Sequence, residues 1–105
     1  MLSREQPALV DLVYFVLNPL DQARGGAGLL VETLTTYFDC GCVTTAASRL
    51  DLSVRAVTYR LDRIRSLSGF DPLDPAHRFT LHAAVLGAKL LGWPERSLPP
   101  PTSAP

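Results

Sequence analysis

Residues Cys42 to Leu67 read CVTTAASRLDLSVRAVTYRLDRIRSL, two short helical patterns on either side of a tight turn. Ala46, Ala47 and Leu50 fall at i, i+1 and i+4 on the first pattern, Leu52 sits in the turn, and Val57, Leu61 and Ile64 repeat at helical spacing on the second. Ala47 stands where two steeply crossing helices come closest and a large side chain would hold them apart. Asp51 takes the turn position where glycine is commonest in such motifs, and Asp is one of the few other residues that tolerate a positive φ. Ser53 is an N-cap for the second helix, its hydroxyl placed to accept from a backbone N–H two or three residues on. This spacing fits a helix-turn-helix over residues 43–67. It fits equally a plain helical hairpin in an ordinary all-α domain, and short patterns of this kind do not separate the two.

The chain has 105 residues, of which 47% are hydrophobic. That is enough to bury a real core in one domain and small for an enzyme with a deep cleft. The formal net charge is +0, so nothing in the overall balance attracts nucleic acid. The distribution is uneven, however. Between Arg49 and Arg65 lie five arginines (Arg49, Arg55, Arg60, Arg63, Arg65) against two acids (Asp51, Asp62), a local net charge of +3. A solvated helix face laced with charge pairs is the plainer explanation of the same residues. Cys40 and Cys42, one residue apart, suit neither a disulfide framework nor paired zinc ligands. Reduced thiols are expected, with no basic neighbour in sequence to activate them. Glu5 and Asp11 interrupt the N-terminal segment, and the apolar run from Ala8 to Leu17 is too short to span a bilayer. A soluble, cytoplasmic protein with no membrane association is the expectation.

Working outward, Leu9, Leu12, Val13 and Val16 repeat at helical spacing within residues 7–17, and Asn18-Pro19 ends that helix. The RGGAG segment at Arg24 to Gly28 reads as a loop; no Gly-Lys-Ser/Thr follows it and no strand precedes it, as a phosphate-cradling loop requires. Leu30, Leu34, Tyr37 and Phe38 mark the next helix, with Gly41 as its terminator. After the hairpin, Gly69 closes its second helix. Asp74-Pro75 then forms a cap with a first-turn proline, and Phe79, Ala83, Leu86 and Leu90 give the apolar stripe of a last helix reaching to about Leu91. Leu81, Val85 and Leu91 fall off that stripe, so this helix is apolar on more than one face: either deeply buried or facing another copy of the chain. The Pro-rich segment from Trp93 onward is expected to be disordered. The fold class is all-α, a core of about five helices over residues 1–92 with a tail over 93–105.

The ordered succession of LNPLD (Leu17 to Asp21), LLVETLTTYFDCG (Leu29 to Gly41), VTTAASRLDLSVRAVTYRLDRIRSLSG (Val43 to Gly69) and FDPLDPAHRFTLHAAV (Phe70 to Val85) resembles the C-terminal DNA-binding domain of PucR/CdaR-type bacterial transcriptional regulators. The resemblance runs from Val16 to Leu91. It implies a wingless, Fis-like helix-turn-helix that binds double-stranded DNA through a recognition helix at 54–67, as a dimer. Family members are usually far longer, with an upstream effector-responding region. Where the family commonly reads H-R-N-T-L-R-Y-R-L, this chain has Ser53-Val54-Arg55-Ala56-Val57-Thr58-Tyr59-Arg60-Leu61. The arginines expected at Val54 and Thr58 are missing, Arg55 stands where Asn is frequent, and Tyr59, Arg60 and Leu61 match. Because arginine forks read guanine edges bidentately, this departure is expected to alter or weaken base readout.

On a helical wheel the second helix of the hairpin sets Arg55, Tyr59, Asp62 and Arg63 opposite Val57, Leu61 and Ile64. The candidates for base contacts are Ser53, Arg55, Thr58 and Tyr59. The candidates for phosphate contacts are Arg60, Arg63, Thr44 and Thr45, the last two at the start of the first hairpin helix. Tyr59 could instead cap the core edge and Arg63 could simply pair with Asp62. The alternative function is an interaction module that keeps the fold without DNA binding and pairs through its last helix, as homodimer or heterodimer, with a larger relative. An enzyme is not expected: His77 and His82 lie five apart, off a common helix face, with no partner carboxylates or nucleophile. No cofactor, metal or small-molecule site is expected.

Overall fold

The computed structural model describes residues 6–98. It contains α1 (Gln6–Leu17), a 3₁₀ turn (Asn18–Gln22), α2 (Gly28–Cys40), α3 (Val43–Leu50), α4 (Val54–Ser68) and α5 (Pro75–Leu91), with no strand among the described residues. The boundaries of α3, α4 and α5 and the end of α2 follow from local chemistry. Cys42 caps α3 by accepting from the Thr45 N–H, Ser53 caps α4 by accepting from the Ala56 N–H, and Asp74 caps α5 by accepting from the Ala76 N–H with Pro75 at the first position. Gly41 and Gly69 close α2 and α4 in the left-handed region, each donating its N–H to the carbonyl four residues back.

Asp51 is the informative terminator. It is the one non-glycine residue with positive φ (59°) among those described. Its N–H donates to the Ser48 carbonyl and that of Leu52 to the Ala47 carbonyl, the paired bonds of a Schellman turn. The expectation that Asp replaces glycine there is met. The turn folds α3 back onto α4, with Ala46 and Ala47 buried against Val57, Leu61 and Ile64 in the common core. α2 packs on both hairpin helices, and the 3₁₀ turn, through the fully buried Leu20, packs on α4. α1 and α5 lie against each other on the other side and join the core through Val13, Val16, Leu17, Leu81, Ala84 and Val85.

Two features of α5 and the segment after it go beyond what helical spacing gives. Of the two apolar faces of α5, the one with Phe79, Leu86 and Leu90 is exposed (81%, 53% and 78%), whereas Leu81, Ala84, Val85, Gly87 and Ala88 are buried. The reason is the closeness of α1. A Cβ placed on Gly87 would stand 2.9 Å from Leu9 Cδ1 and 3.1 Å from Val13 Cγ2, so only the small-residue face of α5 admits α1 at this distance. The bulky face would hold the two helices apart. Residues 93–98, at the start of the Pro-rich segment, are among those described. Gly92 ends α5 in the left-handed region, its N–H on the Lys89 carbonyl and the Trp93 N–H on the Ala88 carbonyl. This second Schellman turn carries Trp93 into the core, 7% exposed, and Leu98 packs against it. The segment 99–105 lies outside the described residues.

Candidate nucleic-acid interface

The hairpin presents one continuous polar face. Ser53 at the N-cap of α4 and Val54, Arg55, Thr58, Tyr59 and Asp62 along it are exposed, while Val57, Leu61 and Ile64 on the opposite side are 3% exposed or less. All four residues expected at base edges therefore share the solvent-facing side of α4 near its N-terminus. Tyr59 is 64% exposed and caps no core edge; Val54, at 46%, is not a core residue either.

The arginines divide into two groups. Arg65 Nη2 donates to Asp62 Oδ1 at 2.6 Å, an exposed i,i+3 pair that raises the Arg65 pKa and neutralises that flank of α4. Asp62 thus pairs with Arg65 and leaves Arg63 free of it. On the other flank Arg60, half-buried, donates from Nη1 to Thr33 Oγ1 at 3.3 Å. Thr33 is fully buried on α2, and its hydroxyl in turn donates to the Leu29 carbonyl at 2.8 Å. That chain of bonds fixes the guanidinium against α2 with most of its N–H groups still to satisfy. Beside it, Arg63 and Tyr59 together with Ala23, Arg24, Gly26, Leu29 and Leu30 line an open cleft of about 560 Å³. Sequence reading missed Arg24 and Thr33. Arg24 stands in a glycine-rich loop with no motif around it, and a threonine inside an apolar helix gives no sign of its partner 27 residues away.

At the start of α3, Thr44 and Thr45 are both exposed, but they differ in what they have free. The Thr45 N–H is spent on Cys42 Sγ at 3.5 Å, and its hydroxyl lies 3.1 Å from the same sulfur. Thr44 keeps its hydroxyl. The Thr45 hydroxyl and N–H together hold the Cys42 thiol below its ordinary pKa, a perturbation that helix capping supplies and a search for basic neighbours does not find. The two histidines do structural work. His77 Nδ1 accepts from the Asp71 N–H at 2.9 Å, and the His82 ring packs on Phe38 at a centroid distance of 5.1 Å. Among the described residues no group of three or more His, Cys, Asp or Glu could hold a metal ion, and no helix is long and apolar enough to cross a membrane.

Comparison with known proteins agrees with this geometry. Residues 30–86, from the first turn of α2 to the middle of α5, match the model of the PucR C-terminal helix-turn-helix domain. The chain is 34% identical over 90 residues to uncharacterized proteins of Mycobacterium bovis and of Mycobacterium tuberculosis strains H37Rv and CDC 1551, a match that covers 85% of this chain and 21% of each relative. It thus spans about a fifth of the length of those relatives. No solved structure matches the chain. A family match over more than half of the residues, on an all-helical fold that sets α3 and α4 about a left-handed Asp51, places the chain in the family of the PucR C-terminal helix-turn-helix domain.

Proposed function

We propose that the chain is a cytoplasmic, non-catalytic, DNA-binding transcription regulator, or the DNA-binding module of one, and that it docks α4 in the major groove. The observation that carries this reading is the exposed strip of Ser53, Arg55, Thr58 and Tyr59 at the N-terminal end of α4, backed by a fully buried opposite face. Arg55 is the base reader, and Thr44, Arg60 and Arg63 hold phosphates on either side, with Thr45 beside Thr44. Two copies pair so that their α4 helices meet half-sites about 34 Å apart. The exposed Phe79, Leu86 and Leu90 of α5 support pairing through that helix. Fluorescence anisotropy with promoter duplexes across a salt series tests the reading. Binding that weakens steeply with salt is expected, with Arg55→Ala costing about 1–3 kcal/mol of sequence discrimination. No binding at micromolar protein, or a flat salt response, would overturn it.

The same three exposed side chains favour a second reading, an interaction module that joins a larger relative through α5 without using DNA. On that reading the double variant Arg55→Ala/Arg60→Ala keeps its cellular effect while Phe79→Asp/Leu90→Asp loses it. The opposite pattern rejects it.

A further inference from the structure

We infer that the cleft between the 23–27 loop and α4 is a phosphoryl site, and that its occupant is a backbone phosphate of the DNA bound by α4, held by Arg24 together with Arg60 and Arg63. This rests on the DNA-binding reading above and adds to it a second contact element, remote in sequence from the hairpin. The cleft is lined by three arginines and no acid, with the Asp21 carboxylate behind Gly26, its Oδ1 3.7 Å from where a Cβ on Gly26 would stand. None of these guanidiniums forms an ion pair with a described residue, in contrast to Arg65 on the opposite flank. Three like charges around one concavity repel one another and concentrate a positive potential that an anion relieves. The lining is also held in shape. Arg60 is tied to the buried Thr33, and the loop is fixed by the Ala23 N–H on the Leu20 carbonyl at 3.0 Å and the Gly26 N–H on the Ala23 carbonyl at 2.8 Å. Gly25 and Gly26 both have positive φ, and Ala27 is buried, so Arg24 projects from a hydrogen-bonded turn anchored at both ends.

The ligand chemistry follows from the donors. Arginine forks match the paired oxygens of a phosphoryl group, and Tyr59 lines the same cleft. A backbone phosphate is the favoured source because Tyr59, which lines this cleft, also lies on the exposed side of α4, with the half-buried Arg63 one turn further along. A duplex lying along α4 would bring its sugar-phosphate edge over the cleft mouth without any rearrangement of the fold.

The test uses the full chain and a random-sequence 30-base-pair duplex, since the contact is independent of base identity. Affinity is measured against salt for the wild type, Arg24→Gln, Arg63→Gln and, as a control at the far end of α5, Arg96→Gln, with folding checked by circular dichroism. Arg24→Gln and Arg63→Gln should each lower the salt slope by about one and weaken low-salt binding several-fold, while the control changes neither. A wild-type slope retained in Arg24→Gln overturns the cleft contact and leaves DNA binding standing. A wild type that binds no duplex overturns the DNA reading. Titration of inorganic pyrophosphate, followed by amide shifts of residues 23–30 and 59–63, then decides the cleft: saturable shifts lost in Arg24→Gln reassign it to a free phosphoryl ligand, and no shifts overturn the phosphoryl site itself.

Discussion

The α3–α4 hairpin and the α1–α5 pair are built from the same helical period, yet they bury opposite kinds of face. In the hairpin the large aliphatic residues Val57, Leu61 and Ile64 point inward, while Ser53, Arg55, Thr58, Tyr59 and Asp62 on the opposite side are exposed. In α5 the face turned to α1 is the one with Gly87, Ala84 and Ala88, and the bulkier Phe79, Leu86 and Leu90 are left in solvent. Periodicity locates an apolar face without ambiguity only when the opposite face is polar. Where both faces are apolar, the closeness of the neighbouring helix decides, and small residues win the position of contact.

The most direct way to break this contrast is to truncate one residue from each face of α5. Leu81→Ala should cost about 2–5 kcal/mol in urea unfolding, while Leu90→Ala should change stability by no more than about 0.5 kcal/mol. Equal costs would mean that α5 packs by its bulky face after all. Gly87→Val sharpens the point from the other side, because its Cβ would meet Leu9 at 2.9 Å. A loss of about 1–3 kcal/mol is expected, partly restored by Leu9→Ala. In the hairpin, Ser53→Ala should cost about 1 kcal/mol through the lost cap of α4, a test by thermal melting.

The smallest effect concerns pH. Because the thiol of Cys42 is held below its ordinary pKa, the folded state favours the thiolate, and the stability this contributes is present above the ordinary thiol pKa and fades as pH falls through the folded value. Rates of alkylation by iodoacetamide should therefore rise at lower pH for Cys42 in the folded chain than in the urea-unfolded chain. Coincident profiles would remove the sulfur from the cap.

The fold was legible wherever one residue type answers one local need. Asp51 in the turn, Ser53 and Asp74 at the caps and Gly41 and Gly69 at the ends each announce themselves, and the helices follow from them. The candidate site was legible on α4, whose N-terminal strip is a matter of helical geometry alone. Arg24, Thr33 and the pairing of Asp62 with Arg65 in place of Arg63 were not, because they depend on which elements meet and on rotamers that spacing does not carry. Trp93 lay between. The Gly92-Trp93 step is a glycine terminator followed by a large apolar residue, the sequence form of the turn that buries it, but the prolines after it draw the eye toward a tail.

That burial has a practical consequence. Trp93 is the chain's single tryptophan, and it is held in the core by the last turn of α5, beyond the residues that match the family model. Its indole emission therefore serves as a built-in gauge of the native state, blue-shifted while the C-terminal hook stays seated and moving to longer wavelength when it lets go. Since α4 carries no tryptophan, titrating DNA against this signal would separate events at the exposed face of α4 from loosening of the scaffold behind it.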